Sequence, residues 1–132
     1  MKKCQLEPTD SAVKRQNIHR VSEWFKVLQT TPRSQTAVMK LGRGQATGEK
    51  PETHDKSEQV ILLVTGELSA VIGGKRSRMK AGDVVIVPPR VKHRFTNSGE
   101  EPAVTFNVYS PPEYPVDESY LPPVATIPES VR

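Results

Sequence analysis

The chain has 132 residues, a formal net charge of +4, 35% apolar and 5% aromatic residues, and 12 prolines against 8 glycines. That length and turn chemistry favour one domain of short strands over long helices, with a core economical in aromatics. No apolar run approaches the ~20 residues needed to cross a bilayer, so a membrane protein is not expected.

The start, Met1-Lys2-Lys3-Cys4-Gln5-Leu6, is charged without an apolar stretch behind it, and no signal peptide is expected. A single cysteine, Cys4, cannot close an internal disulfide, which makes a reducing, cytoplasmic setting the default. The basic residues are scattered, which suits a solvated surface better than a nucleic-acid footprint.

Residues 1–21 are polar and without clear periodicity, and read as an N-terminal arm. A barrel domain is expected over 22–114. Trp24 to Gln29 and Thr36 to Leu41 read as a hairpin around Thr30-Thr31-Pro32-Arg33-Ser34. Gly42-Arg43-Gly44 ends the second strand. Val60 to Val64 and Leu68 to Ile72 form the next pair, joined through Gly66. Gly73-Gly74 opens a turn, and Lys75, Arg76, Arg78 and Lys80 around it read as an exposed loop. Val84 to Val87 is a strand stopped by Pro88-Pro89. Val91 to Thr96 and Val104 to Tyr109 complete the set. Short strands at this spacing predict an all-β sandwich or barrel. Six prolines within residues 111–132 exclude a central strand there; 115–132 is expected to be an extended tail.

Four donors stand at suggestive spacings. Glu52 and His54 are two apart and would share one face of a strand. Gln59 follows across a bend, and His93 lies just past the Pro88-Pro89 corner. Two imidazoles and two oxygens suit one divalent Mn, Fe, Ni or Zn ion. A one-residue slip would offer Glu58 in place of Gln59 and turn the whole Val60–Val64 run over. The alternative is an empty polar pocket in which His54 and His93 are hydrogen-bonded to Glu52 and Gln59.

The run Gly82-Asp83-Val84-Val85-Ile86-Val87-Pro88-Pro89-Arg90-Val91-Lys92-His93-Arg94-Phe95-Thr96-Asn97 resembles the second cupin motif, with Arg90 in place of its middle glycine. Counting back from Gly66 sets Gln59, His54 and Glu52 on the ligand positions of the first motif, as Glu-x-His-x₄-Gln. The likeness spans roughly Trp24 to Tyr114 and resembles small bacterial cupins of the mannose-6-phosphate-isomerase-like kind. It implies a jelly-roll barrel, a homodimer, and a metal held by Glu52, His54, Gln59 and His93. It also implies action on, or binding of, a small molecule: sugar isomerisation or oxygenase-type chemistry at the metal, or a non-catalytic sugar-binding module with the same pocket. Gln59 for a carboxylate removes one negative charge, and Glu52 restores one at another vertex.

Strand parity with His93 facing inward sends Arg90, Lys92 and Arg94 outward and brings Phe95 inside. Val104, Phe106 and Val108 form one apolar face of the last strand, and Met39 shares parity with Ala37 and Leu41. Met39, Phe95 and Phe106 are candidate pocket walls, with ordinary core packing as the favoured alternative for each.

Overall fold

The computed structural model describes residues 15–116 and 119–128. Ten strands follow in chain order: β1 Phe25–Thr30, β2 Gln35–Leu41, β3 Gln45–Ala46, β4 Glu58–Thr65, β5 Glu67–Ile72, β6 Lys75–Lys80, β7 Val84–Val87, β8 His93–Thr96, β9 Ala103–Ser110 and β10 Ala125–Thr126. They form two five-stranded antiparallel sheets, ordered β1-β2-β9-β4-β7 and β10-β3-β8-β5-β6. This is the expected jelly-roll barrel. Among the described residues the one helical element is a 3-10 turn at Ile18–Arg20, and no helix is long and apolar enough to cross a membrane.

The two inner faces meet in a core of Phe25, Met39, Leu41, Ile61, Leu63, Leu68, Met79, Val87 and Phe95, all nearly solvent-free. Fully burying one such side chain is worth about 1.5–3 kcal/mol, so the contact between inner faces carries most of the stability. The second sheet reaches its short strands through Asn97. This buried side chain donates to the carbonyls of Leu41 and Glu101, both at 2.8 Å, and accepts from Gly99 N at 2.9 Å. Gly66 makes the β4–β5 turn at φ +88°, where an added Cβ would lie 2.7 Å from the Pro102 carbonyl oxygen.

Three details differ from the sequence reading. Lys75–Lys80 is strand β6, not a loop; it is an edge strand with one buried residue, Met79, opposite Leu68. Polar residues on both faces hide its period. Strand β8 begins at His93 rather than Val91, because Val91 N returns to Pro88 O and closes the corner. The proline-rich tail joins a sheet after all: Ala125–Thr126 pairs with β3, at an edge where no proline N–H is required.

The inner face of β9 is also the opposite of the expected one. Ala103, Thr105, Asn107 and Tyr109 are buried, while Val104, Phe106 and Val108 lie on the other face. Phe106 pairs across to Val38 and Leu62 on the outer surface of the sheet and is no part of the cavity wall. Both faces of β9 are attractive to the barrel, one by apolarity and one by its hydrogen bonds. Register decides between them: Gln59 sits opposite Tyr109, which turns both inward.

Candidate functional site

Two backbone ties bring the histidines together. Glu52 and His93 form an antiparallel bridge, with Glu52 N to His93 O at 3.0 Å and His93 N to Glu52 O at 2.9 Å. The N–H of Arg90 donates to His54 O at 2.7 Å. Arg90 occupies φ 64°, the left-handed conformation for which glycine is the usual residue. The corner keeps its shape despite the arginine, and His93 leaves it pointing inward. The two imidazole rings then stand 4.8 Å apart, centroid to centroid.

Each histidine has its Nδ1 occupied on the far side. His93 Nδ1 lies 3.0 Å from Val91 O. A carbonyl only accepts, so this ring carries its proton on Nδ1 and leaves Nε2 as a lone pair. Burial holds the His93 imidazole below its ordinary pKa, with the Val91 carbonyl pulling the other way. His54 Nδ1 is 3.1 Å from Glu113 Oε2. Glu113 is held by Gln35, a buried residue of β2. Its Oε1 accepts from Glu113 N at 3.1 Å and Tyr114 N at 2.9 Å, and its Nε2 donates to Tyr114 O and Thr30 Oγ1, both at 3.0 Å.

Gln59 completes the polar side. Its Nε2 donates to Asn107 Oδ1 at 2.8 Å, and Asn107 is anchored in turn on Thr105 Oγ1 at 2.9 Å. The remaining atom, Gln59 Oε1, is buried with no hydrogen-bond partner. Such an orphaned acceptor is costly unless a ligand satisfies it. Its neighbour Glu58 is exposed, so the slipped register does not occur.

Glu52, His54, Gln59 and His93, with Met39 and Phe95, all line one cavity of about 530 Å³. Glu52 remains largely exposed. Among the described residues, no three His, Cys, Asp or Glu side chains are grouped as metal donors. By their chemistry, two imidazoles and the unpaired Gln59 oxygen on the wall of one cavity would suit a cation; Glu52, backbone-bridged to His93, is the most exposed of the four residues. Sequence reasoning missed Glu113, Gln35 and Asn107. It also missed most of the aromatic wall, which comes from Trp24, Phe25, Tyr109, Tyr114 and Tyr120.

Two antiparallel sheets closed around a histidine-bearing cavity define a double-stranded β-helix barrel. Residues 37–109 match the family described as Cupin domain, and the chain belongs to that family. Solved structures agree on the fold. KdgF from Halomonas sp. superposes with a TM-score of 0.62 at 22% identity, covering 67% of this chain and 78% of that one. An uncharacterised conserved protein with a double-stranded β-helix domain from Klebsiella pneumoniae gives 0.61 at 23% identity over 96% and 99% of the two chains. A predicted oxalate decarboxylase from Thermotoga maritima gives 0.61 at 22% identity over 67% and 79%. Among curated proteins, 62 residues are 31% identical to Endoribonuclease YbeY of Myxococcus xanthus, 47% of this chain but 21% of that protein. The chain thus spans about a fifth of that relative's length, and the relative's named activity does not transfer with the match.

Proposed function

We propose that the protein is a metal-dependent small-molecule cupin whose divalent ion is held by His54, His93 and Gln59. The observation that carries this reading is the unpaired, buried Gln59 Oε1 in a cavity also lined by two imidazoles whose Nδ1 atoms are already engaged. Outer hydrogen bonds of this kind orient ligating histidines and fix their tautomers. The donor set of two nitrogens and one neutral oxygen suits Mn, Fe, Ni or Zn. When bound, the ion supplies a Lewis acid that polarises a carbonyl or hydroxyl oxygen of the ligand.

The chain's own residues do the rest. Glu113 and Val91 O hold the imidazole protons on Nδ1. Glu52, exposed at the cavity wall, is a group available to take a proton from a bound molecule. A non-catalytic binding module with the same pocket is the second reading, favoured by the high exposure of Glu52, which leaves that base in water. The homodimer belongs to the same proposal. Its support is the apolar outer face of the first sheet, where Val84 and Ile86 are each 57% exposed beside Phe106 and Leu62.

Metal analysis of tag-free protein tests the centre. Wild type is expected to retain one equivalent, His93→Ala to lose it and Glu52→Ala to keep it. Wild type that takes up none of the four ions overturns the reading. Sedimentation at several concentrations tests the dimer, with a monomer throughout as the contrary result.

A further inference from the structure

Seven aromatic residues serve the whole chain, one Trp, three Tyr and three Phe, and all of them except Phe106 line the cavity. Their rings form an unbroken series of contacts. Trp24 meets Phe25 at 5.7 Å, Phe25 meets Tyr114 at 4.8 Å, and Tyr114 meets Tyr109 at 5.1 Å and Tyr120 at 5.8 Å. Tyr109 then meets His54 at 5.4 Å, which leads to His93 and Phe95. A chain this poor in aromatics has gathered them in one place.

The wall divides by origin. Its charged and amide groups come from residues 47–59 together with His93. Strands β1 and β2 and the tail contribute Trp24, Phe25, Met39, Tyr114, Pro122 and Val124. The polar tip of the one indole is spent within the protein. Trp24 Nε1 donates to Pro122 O at 2.7 Å. Tyr109 is buried and packs edge to face on Tyr114. What this side offers a ligand is mainly ring face and hydrocarbon. A sugar ring carries hydroxyls around its whole rim; its C–H face can lie on such rings, but the hydroxyls that point away from residues 47–59 and His93 find few polar partners there. A molecule with one oxygen-bearing end and an apolar ring meets both sides of the cavity without that mismatch.

The geometry points to a ligand of this second kind: a small hydroxylated aromatic compound, its oxygen toward His54, His93 and Gln59 and its ring against Tyr114 and Trp24. The inference deepens the small-molecule reading and rests on this cavity being the ligand site, but it does not require the metal. It selects aromatic over sugar chemistry among the activities that the family resemblance leaves open.

The test is a calorimetric titration of the full chain, as purified and after loading with Mn²⁺, with 4-ethylphenol and with D-glucose as probes. Trp24 is the single tryptophan and its fluorescence gives a second readout of occupancy. Binding of 4-ethylphenol with no heat from glucose at the same concentrations is the expected result. Tyr114→Ala should weaken 4-ethylphenol about tenfold, whereas Tyr114→Phe, which keeps the ring and loses the hydroxyl, should stay within about twofold of wild type. Tyr120→Ala, at a half-exposed wall position, should weaken binding without disturbing the core. Glucose binding as tightly as 4-ethylphenol, binding of neither probe, or equal losses in Tyr114→Phe and Tyr114→Ala would overturn the inference. Aromatic selectivity in a protein that takes up no metal would refute the metal centre alone.

Discussion

Arg90→Gly should make the protein more stable, an outcome opposite to most substitutions. Arg90 sits at φ 64°, where an L-residue pays roughly 1–2 kcal/mol for the proximity of Cβ to its own backbone. Glycine escapes that cost but gives the unfolded chain more freedom, worth about 0.4–1 kcal/mol in the other direction. The hydrogen bond from Arg90 N to His54 O belongs to the backbone and survives the change. The arginine side chain is exposed, so its loss removes little packing. The balance is a gain of about 0.5–1 kcal/mol, or a rise of about 2–4 °C in the melting midpoint for a chain of this size. Urea denaturation and calorimetry on wild type, Arg90→Gly and Arg90→Ala measure it. Arg90→Ala keeps the strain and should not gain. If Arg90→Gly is less stable than wild type, or if alanine gains as much as glycine, backbone strain at the corner is the wrong account.

At Gly66 the same physics runs the other way. Gly66→Ala adds the left-handed penalty to a Cβ 2.7 Å from Pro102 O and 2.8 Å from Ala103 Cα, and should destabilise by about 3 kcal/mol in urea; a loss under about 1 kcal/mol would show that the turn yields easily. Gln35→Ala removes four hydrogen bonds at a solvent-free position and should cost about 2–4 kcal/mol while exposing the tail beyond Tyr114 to limited proteolysis. An unchanged cleavage pattern would mean that the tail is held elsewhere. Burial first, and then their neighbouring groups, push the Tyr109 and Tyr114 hydroxyls above the ordinary tyrosine pKa. The unfolded chain releases these protons from about pH 10 while the folded one retains them, so this stability is intact below about pH 10 and is lost as pH rises further. Melting midpoints between pH 8 and pH 11.5 should fall at the alkaline end, less steeply in Tyr109→Phe. Full phenolate absorbance from all three tyrosines in folded protein near pH 10 would contradict it.

Much of the barrel is legible because its turns announce themselves. Gly66, Gly73-Gly74, Gly82 and Pro88-Pro89 punctuate the apolar runs at the places where the strands end. Strand β6 is not legible, since Lys75, Arg76, Ser77 and Arg78 present polar groups to both faces and only Met79 is buried. The facing of β9 is ambiguous for a different reason: Val104, Phe106 and Val108 look like a core stripe. The hydrogen-bonding residues opposite them are inside, where Gln59 donates to Asn107 and Asn107 to Thr105. His54 and His93 are readable from spacing and from the motif. Glu113 and Gln35 are not, because their meeting depends on the path of a tail that has no period at all.

The part of the cavity built from Tyr114, Tyr120 and Pro122 to Ala125 comes from a single segment that re-enters the second sheet through one two-residue pairing. The rest comes from strands that also hold the barrel shut and from residues 47–54, which the Glu52–His93 bridge ties to β8. Variation can therefore act on the first without taxing the second. Grafting a different terminal peptide onto the same scaffold would recast which molecules are accepted, while leaving the two imidazoles and their neighbouring amide where they stand.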